Sequence, residues 1–337
     1  MHVITVRNVR DALLQSVRYL TDYGNKEQTR IGQALVAPQP VSIHYLYPKE
    51  HVLVNPDRDA NPFFHLMEAM WMLAGRDDAA FLDHYISYFS KMFAKDGIVM
   101  DAYGQRWRHG LKYNQLDEIV NQLRKEPNSR QAVLQMWGAG RDDLRAYSSK
   151  PCNLVVTFRI QVRGTPIGEV DCLDMAVINR SNDLIWGCCG ANAVHFPILQ
   201  EYMAARIGVE LGEYWQISTN LHLYEHHYEM AKKIEPVPAS SAYEPTVPLV
   251  KYAKTFDQEL LGVMDFIDQM HKGFNPRVNA DISNPFLSRT VVRMAIAHYL
   301  HKRGSKFDAM DIDETVEAED WRRAGKEWLE RRYVNRE

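Results

Sequence analysis

Apolar residues recur at the three- and four-residue spacing of a buried helix face over Asp11–Tyr23, Pro62–Ala74, Asp78–Phe93, Gln115–Arg124 and Phe196–Ile207; in the last, Phe196, Leu199, Met203 and Ile207 mark the stripe. The same spacing predicts helix over Glu225–Lys233, Thr255–Lys272, Arg289–Lys302 and Ile312–Arg332. Alternation of period two is confined mainly to the middle of the chain, at Gln131–Trp137, Asn153–Arg163, Val170–Arg180 and Tyr214–Tyr224, and predicts strands there. Long helices around a mid-chain sheet make an α/β chain of the α+β kind. The segment Ile234–Leu249, with Pro236, Pro238, Pro245 and Pro248, reads as a surface loop because helical patterning resumes at once. No repeat or low-complexity tract cuts the chain. The expected division is a core over 1–235 and a helical extension over 236–337 packed on the same domain.

Of 337 residues, 46% are hydrophobic, enough to bury a substantial core and to exclude a disordered or fibrous chain. Forty Lys and Arg against 43 Asp and Glu leave a formal net charge of −3, so nothing draws the chain to a nucleic-acid backbone or an anionic membrane. No apolar run approaches the roughly 20 residues that span a bilayer. The start Met-His-Val-Ile-Thr-Val-Arg lacks the order of a secretion signal, so a cytoplasmic protein is expected. Cys152, Cys172, Cys188 and Cys189 form no C-x-x-C pair and have no histidine at ligand spacing. No metal is expected, and the three later cysteines read as packing residues.

Pro151-Cys152-Asn153 opens a strand in which Leu154, Val156, Phe158, Ile160 and Val162 share one face, and position 152 has the same parity. Cys152 is therefore either a buried small hydrophobe or a nucleophilic thiolate, the latter needing a nearby cation such as Arg180. Arg180, Ser181 and Asp183 end the next strand, before Gly187, as an anion cradle or as a polar turn closed on itself. In Tyr214–Tyr224, Trp215, Ile217, Leu221 and Leu223 form an apolar face, and Gln216, Ser218, Asn220, His222 and Tyr224 a polar one that is expected to be wet. His222 and Tyr224, two apart, could grip sugar hydroxyls or simply meet solvent. Glu68 lies amid Phe63, Phe64, Leu66, Met67, Met70, Trp71 and Leu73, so it needs a salt-bridge partner or a task on bound water. Trp321, Arg322, Arg323 and Trp328 read as a solvated amphipathic face.

In their order along the chain these segments resemble the thymidylate synthase superfamily, including its pyrimidine-nucleotide C5-hydroxymethylase branch, over about residues 10 to 230. The carriers are E-A-M-W-M-L-A-G with Glu68, Y-G-Q-R-W-R at 103–108, S-R-Q at 129–131, P-C-N at 151–153, R-S-N-D at 180–183 with Gly187, G-A-N at 190–192 and H-L-Y at 222–224. The resemblance implies a central mixed sheet flanked by long helices, one face of which forms a homodimer interface. It implies Cys152 as the nucleophile at C6 of a pyrimidine nucleotide, with Glu68, Tyr103 and Asn192 as further catalytic groups. Arg30, Arg180 and Ser181 match phosphate ligands, and Arg130 matches an arginine reaching the partner subunit's phosphate. His222 and Tyr224 match ribose contacts, and Asn192 reads the base, favouring uracil. Asp183, with Gly187 and Glu68, serves the co-substrate 5,10-methylenetetrahydrofolate.

Where synthases usually have two arginines this chain has Arg130-Gln131, and Asn153 follows the nucleophile in place of histidine. The turn Cys188-Cys189-Gly190-Ala191-Asn192 is one residue longer than the family's, and the C-terminus, Glu330-Arg331-Arg332-Tyr333-Val334-Asn335-Arg336-Glu337, is charged where synthases carry an apolar lid. A wetter site favours water over hydride at the exocyclic carbon, so the expected product is 5-hydroxymethyl-dUMP or its dCMP or CMP equivalent. The alternatives are a true synthase making dTMP, a non-catalytic nucleotide- or RNA-binding descendant, and a cysteine hydrolase. A viral enzyme of this kind would work in the host cytoplasm, on modified DNA or in antibiotic synthesis.

Overall fold

The computed structural model describes residues 1–138, 142, 149–166, 168–234, 243, 247–274 and 282–334. Pro236, Pro238 and Pro245 of the loop, and residues 335–337 of the charged end, lie outside the described residues. In chain order the elements begin β1 (His2–Val6), α1 (Val9–Tyr23), β2 (Asn25–Thr29), β3 (Gly32–Val36), β4 (Val41–Tyr45), α2 (Pro62–Leu73), α3 (Ala79–Asp83), α4 (Phe89–Phe93), α5 (Tyr103–His109) and α6 (Gln115–Lys125). They continue β5 (Val133–Gln135), β6 (Asn153–Thr165), β7 (Gly168–Asn179), β8 (Asn182–Asp183), α7 (Asn192–Ile207), β9 (Glu210–Ser218), β10 (Leu221–Tyr224) and α8 (Tyr228–Ala231). The last are α9 (Phe256–His271), α10 (Val292–Lys302), α11 (Lys306–Asp313) and α12 (Glu319–Val334). By internal contacts the chain falls into two compact units, Met1–Arg58 with Arg106–Pro238, and Asp59–Gln105 with Ala239–Glu337.

The first unit holds a mixed six-stranded sheet in the order β1-β4-β9-β7-β6-β5, in which β1 runs parallel to β4 and β7 to β9. A second sheet has the order β2-β3-β10-β8. This is the mixed α/β architecture that the patterning implied, with four short N-terminal strands added to those expected. β2, Asn-Lys-Glu-Gln-Thr, is polar and almost wholly exposed, and only its pairing with β3 makes it a strand. α1 begins where Asn8 Oδ1 accepts the backbone N–H of Arg10 and Asp11. α7 starts one turn before the expected Phe196, at Asn192, and closes where Gly208 takes the left-handed φ of +93°.

Two expectations about strands are corrected. The run Tyr214–Tyr224 is not one strand: it breaks at Thr219 and Asn220, leaving β9 in the large sheet and β10 in the small one. Its polar face is not wet at Gln216 and Ser218, which are buried, while Trp215 and Ile217 are half-buried on the other face. The parity argument for Cys152 also fails, because a bulge between Asn153 and Val155 shifts the pairing of β6 with β7 by one residue. Asn153 is the buried side chain, its Nδ2 donating to the Ile178 carbonyl, and Cys152 is half-buried.

In the second unit, α2 is buried at all twelve positions, capped by Asn61 Oδ1 on the Phe64 N–H, with Pro62 at its first turn. The expected helix Asp78–Phe93 is two short ones, broken before Phe89 where Tyr88 adopts φ +70°. Ile312–Arg332 is likewise divided, since α11 ends at Asp313 and α12 begins at Glu319. Trp321 and Trp328 are core residues and not a solvated face, as are Phe63 and Trp71. Arg331 and Arg332 both pair with Asp59, whose carboxyl these guanidiniums hold below the usual range against the opposing effect of burial.

Candidate active site

Cys152 sits immediately before β6, and the loop that carries it is fastened by Arg180 from the end of β7. The Arg180 backbone N–H donates to the Cys152 carbonyl at 2.9 Å, its Nε to the Pro151 carbonyl at 3.0 Å and its Nη2 to the Lys150 carbonyl at 2.9 Å. The guanidinium also lies 5.8 Å from the Trp137 ring centroid. Arg180 therefore fixes the thiol's backbone directly, and Nη1 makes no hydrogen bond among the described residues. Ser181, next in sequence, is half-buried.

The small sheet gathers the next group. β8 pairs in parallel with β10, setting Asp183 opposite His222, while β3 pairs antiparallel on the other side, setting Ala34 opposite Tyr224. Arg30 and Ile31 form the tight link from β2 to β3, with the Thr29 hydroxyl donating to the Gly32 carbonyl. His222 is buried, and its Nδ1 meets the Asn220 backbone carbonyl at 3.3 Å and Asn220 Oδ1 at 2.9 Å. Both partners are acceptors, so Nδ1 carries the proton and Nε2 is an acceptor. Burial lowers the His222 pKa, opposed by Asp183, so the ring is neutral at pH 7. Burial, then the Asp183 charge, raises the pKa of the Tyr224 phenol; Arg30 opposes and Cys152 adds to the rise.

Asp183 also caps the wide helical turn Leu184–Ala191, its Oδ1 accepting the N–H of Ile185 at 2.7 Å and of Trp186 at 2.9 Å. The turn is interrupted at Gly190, where a Cβ would press on the Ile185 carbonyl. Arg58 lies beneath it: Nη2 donates to the Ile185 carbonyl, and the guanidinium is 5.6 Å from the ring centroid of Trp186, which is 51% exposed. Asn192 follows the turn, buried, with Nδ2 on Asn182 Oδ1 at 3.0 Å.

The first unit thus assembles Cys152 with Arg180 and sets Asp183, His222 and Tyr224 together on the small sheet, whose β2–β3 link carries Arg30, while Gly187 and Asn192 lie along or just after the turn. Arg130 is exposed just before β5, the edge strand of the large sheet. Glu68 and Tyr103 belong to the second unit: Glu68 is buried within α2, and Tyr103 is half-buried at the start of α5. Next to it, Gly104 lies where a Cβ would overlap the Met72 carbonyl of α2. Sequence reasoning gave no role to Asn182, Gln216 or Arg58. Asn182 was legible only as part of the polar run R-S-N-D, Gln216 only as a polar position on an alternating strand, and Arg58 had no motif around it.

Among the described residues no three His, Cys, Asp or Glu side chains are grouped to hold a metal ion, and no helix is long and apolar enough to cross a membrane. The family model for thymidylate synthase matches residues 11–266. A deoxyuridylate hydroxymethyltransferase of Pseudomonas phage M6 is 38% identical, covering 98% of this chain and 95% of that protein. A deoxyuridylate hydroxymethyltransferase of Bacillus phage SP01 is 35% identical over 58% of this chain and 52% of its own length. A thymidylate synthase of Buchnera aphidicola subsp. Schizaphis graminum is 24% identical over 65% of this chain and 81% of its own.

Proposed function

Because the chain belongs to the thymidylate synthase family, we propose that it transfers a one-carbon unit from 5,10-methylenetetrahydrofolate to C5 of deoxyuridine monophosphate and, with water, yields 5-hydroxymethyl-dUMP. The observation that carries this reading is the 38% identity, over nearly the whole of both chains, with a phage protein named deoxyuridylate hydroxymethyltransferase. When bound, the folate supplies the carbon at the oxidation level of formaldehyde.

Cys152 Sγ adds to C6, so the C5–C6 electron pair moves to C5 and O4 and makes C5 nucleophilic. Arg180, already fixing the thiol's loop, and the exposed Arg30 receive the 5′-phosphate with the Ser181 hydroxyl. His222 Nε2 accepts from a deoxyribose hydroxyl and the Tyr224 phenol donates to it. Asn192 receives the base. Asp183 keeps one carboxylate oxygen on its own turn and offers the other to the pterin, and the exposed Trp186 ring beside it suits a flat aromatic co-substrate. Glu68 exchanges protons with the substrate through water, and Tyr103 serves with it. C5 takes up the carbon, whose bonds to the folate nitrogens break as tetrahydrofolate leaves and water supplies the hydroxyl; loss of the C5 proton and elimination of Cys152 then restore the C5–C6 double bond and free the thiol.

The reading includes a homodimer with Arg130 serving the neighbouring site. Trp215, Ala176 and Thr157, and beside them Ile217, Ile178 and Val155, form two adjacent half-buried rows across β9, β7 and β6. Such a face suits a second copy of the chain. Native mass spectrometry of the purified protein is expected to show the dimer; a monomer at micromolar concentration would remove Arg130 from the site.

The test of function is the nucleotide product after incubation with methylenetetrahydrofolate and dUMP. A gain of about 30 mass units, CH2O, is expected, whereas about 14 with dihydrofolate formed would make the protein a thymidylate synthase. No product would move the weight to a binding protein.

A further inference from the structure

Behind Asn192 runs a chain of neutral side chains that leaves its amide one orientation. The Cys188 carbonyl can only accept, and Gln216 Nε2 donates to it at 3.0 Å. Gln216 is fully buried, and this bond turns its Oε1 towards Asn182, whose Nδ2 donates to it at 3.0 Å and to Ser218 Oγ at 2.9 Å. With both Nδ2 hydrogens used, Asn182 presents Oδ1, and Asn192 Nδ2 donates to that oxygen. Reversing any one amide would set oxygen against oxygen and strand a buried donor, at a cost of about 1–3 kcal/mol for each unsatisfied group. The chain therefore carries the polarity of one backbone carbonyl through two side chains to Asn192, leaving Asn192 an acceptor oxygen and one remaining N–H.

We propose that Asn182 and Gln216 are positioning residues that determine base specificity, holding Asn192 in the orientation that matches uracil and mismatches cytosine. The Asn192 oxygen accepts N3–H and its spare N–H donates to O4; cytosine offers a lone pair at N3 and an amino group at C4, so both contacts clash. A free Asn192 would answer cytosine by turning half a revolution, and the clamp prevents that turn. The inference rests on the reading above that Asn192 faces the base.

The experiment measures kcat/KM for dUMP and dCMP, first in the unaltered protein. Asn182→Leu and Gln216→Met release the clamp and are expected to lower the dUMP:dCMP ratio at least about tenfold, through a gain with dCMP relative to dUMP. A purely structural role would lower turnover of both nucleotides equally. An unchanged ratio in Asn182→Leu and Gln216→Met, or in whichever of them folds, overturns the inference while the function stands. No product from either nucleotide with the unaltered protein overturns the functional reading and the inference with it.

Discussion

Around Asn192 the buried polar side chains Asn182, Gln216 and Ser218 bond to one another, and the ionisable group that Gln216 Nε2 also reaches, the Tyr45 hydroxyl at 3.4 Å, is kept neutral by burial, which raises its pKa well above the ordinary value. The second unit buries polarity in groups that can take up or lose a proton. His271 stacks on His84 at 3.7 Å and meets the Tyr85 hydroxyl at 3.3 Å, Tyr85 stacks on His298 at 4.7 Å, and His301 Nδ1 meets the Tyr333 hydroxyl at 3.0 Å. Burial pushes His271 down to about 3 and His298 well below its ordinary value, with neighbouring histidines, Arg76 and Lys302 adding to the effect. Asp313, at the end of α11, is wholly buried, and neither carboxyl oxygen has a hydrogen-bond partner among the described residues. An amide chain keeps its polarity at any ordinary pH; a histidine ladder keeps its packing only while it stays neutral. One cluster is suited to hold a substrate contact, and the other ties the fold to pH.

The difference is broken most severely at the chemistry. Cys152→Ala is expected to lower kcat on the order of 10^5-fold, with dUMP binding by calorimetry and thermal stability nearly unchanged, because the side chain is half-buried and its loop is held by backbone contacts to Arg180. Residual turnover within tenfold of the unaltered protein would remove Cys152 as nucleophile.

Asp313 gives the next largest effect, on stability. Burial raises its pKa to about 8 from 3.8, with Glu314 and Glu330 adding and Arg322 and Lys326 opposing. Between those values the folded state holds the proton more than the unfolded one, so stability is fully present below pH 3.8 and falls as pH rises towards 8. Asp313→Asn removes that dependence, and its stability relative to the unaltered protein is expected to grow by at most about 1.4 kcal/mol per pH unit from pH 4 to 8. Urea denaturation at four pH values measures it; a constant gap would mean that Asp313 is charged in the fold.

His298 has the opposite sign. Its folded pKa is lowered, so the unfolded chain takes up more protons below pH 6.5 and stability is lost as pH falls from there. His298→Phe keeps a ring against Phe63, Tyr85 and Trp328 and removes the proton site. Its advantage should widen by at most about 1.4 kcal/mol for each pH unit below 6.5, whereas Gln216→Met should leave the slope unaltered. Equal slopes for the two variants would abolish the contrast between the clusters.

The site was more legible in the sequence than the sheets that carry it. P-C-N, R-S-N-D and H-L-Y are short local runs, and Asp183, His222 and Tyr224 meet because β8 and β10 are adjacent, which no single run announces. β2 has no apolar side chain at all, so neither alternation nor composition revealed it, whereas β1 and β4, His-Val-Ile-Thr-Val and Val-Ser-Ile-His-Tyr, carry strand-forming residues in runs only five long whose parallel pairing across α1 no local pattern announces. The switch of sheets at Thr219 and Asn220 is a backbone event that keeps the alternation intact on both sides, and the bulge at Asn153 reverses a parity that the residues themselves do not show. Gln216 had a polar side chain that read as solvent-facing, and Asn182 one that read as part of a polar run at a strand end; only the carbonyl of Cys188 and the amide N–H of Asn192, brought from elsewhere in the chain, give them interior partners.

The smallest expected effect lies at Gly187, and it tests whether the amide chain is as tightly fitted as its distances indicate. A Cβ there would stand 2.8 Å from Asn182 Oδ1 and 3.7 Å from Asn192 Nδ2, closer to the first than a side chain normally comes. Asn182 cannot retreat without loosening its bonds to Gln216 and Ser218, so Gly187→Ala displaces the oxygen that holds Asn192. The loss expected is about 1 kcal/mol, or roughly fivefold in kcat/KM for dUMP, with a smaller fall for dCMP, because only uracil depends on the clamped orientation. Equal losses for the two nucleotides would show the turn shifting as a whole, with Asn192 and Asn182 moving together and their hydrogen bond intact.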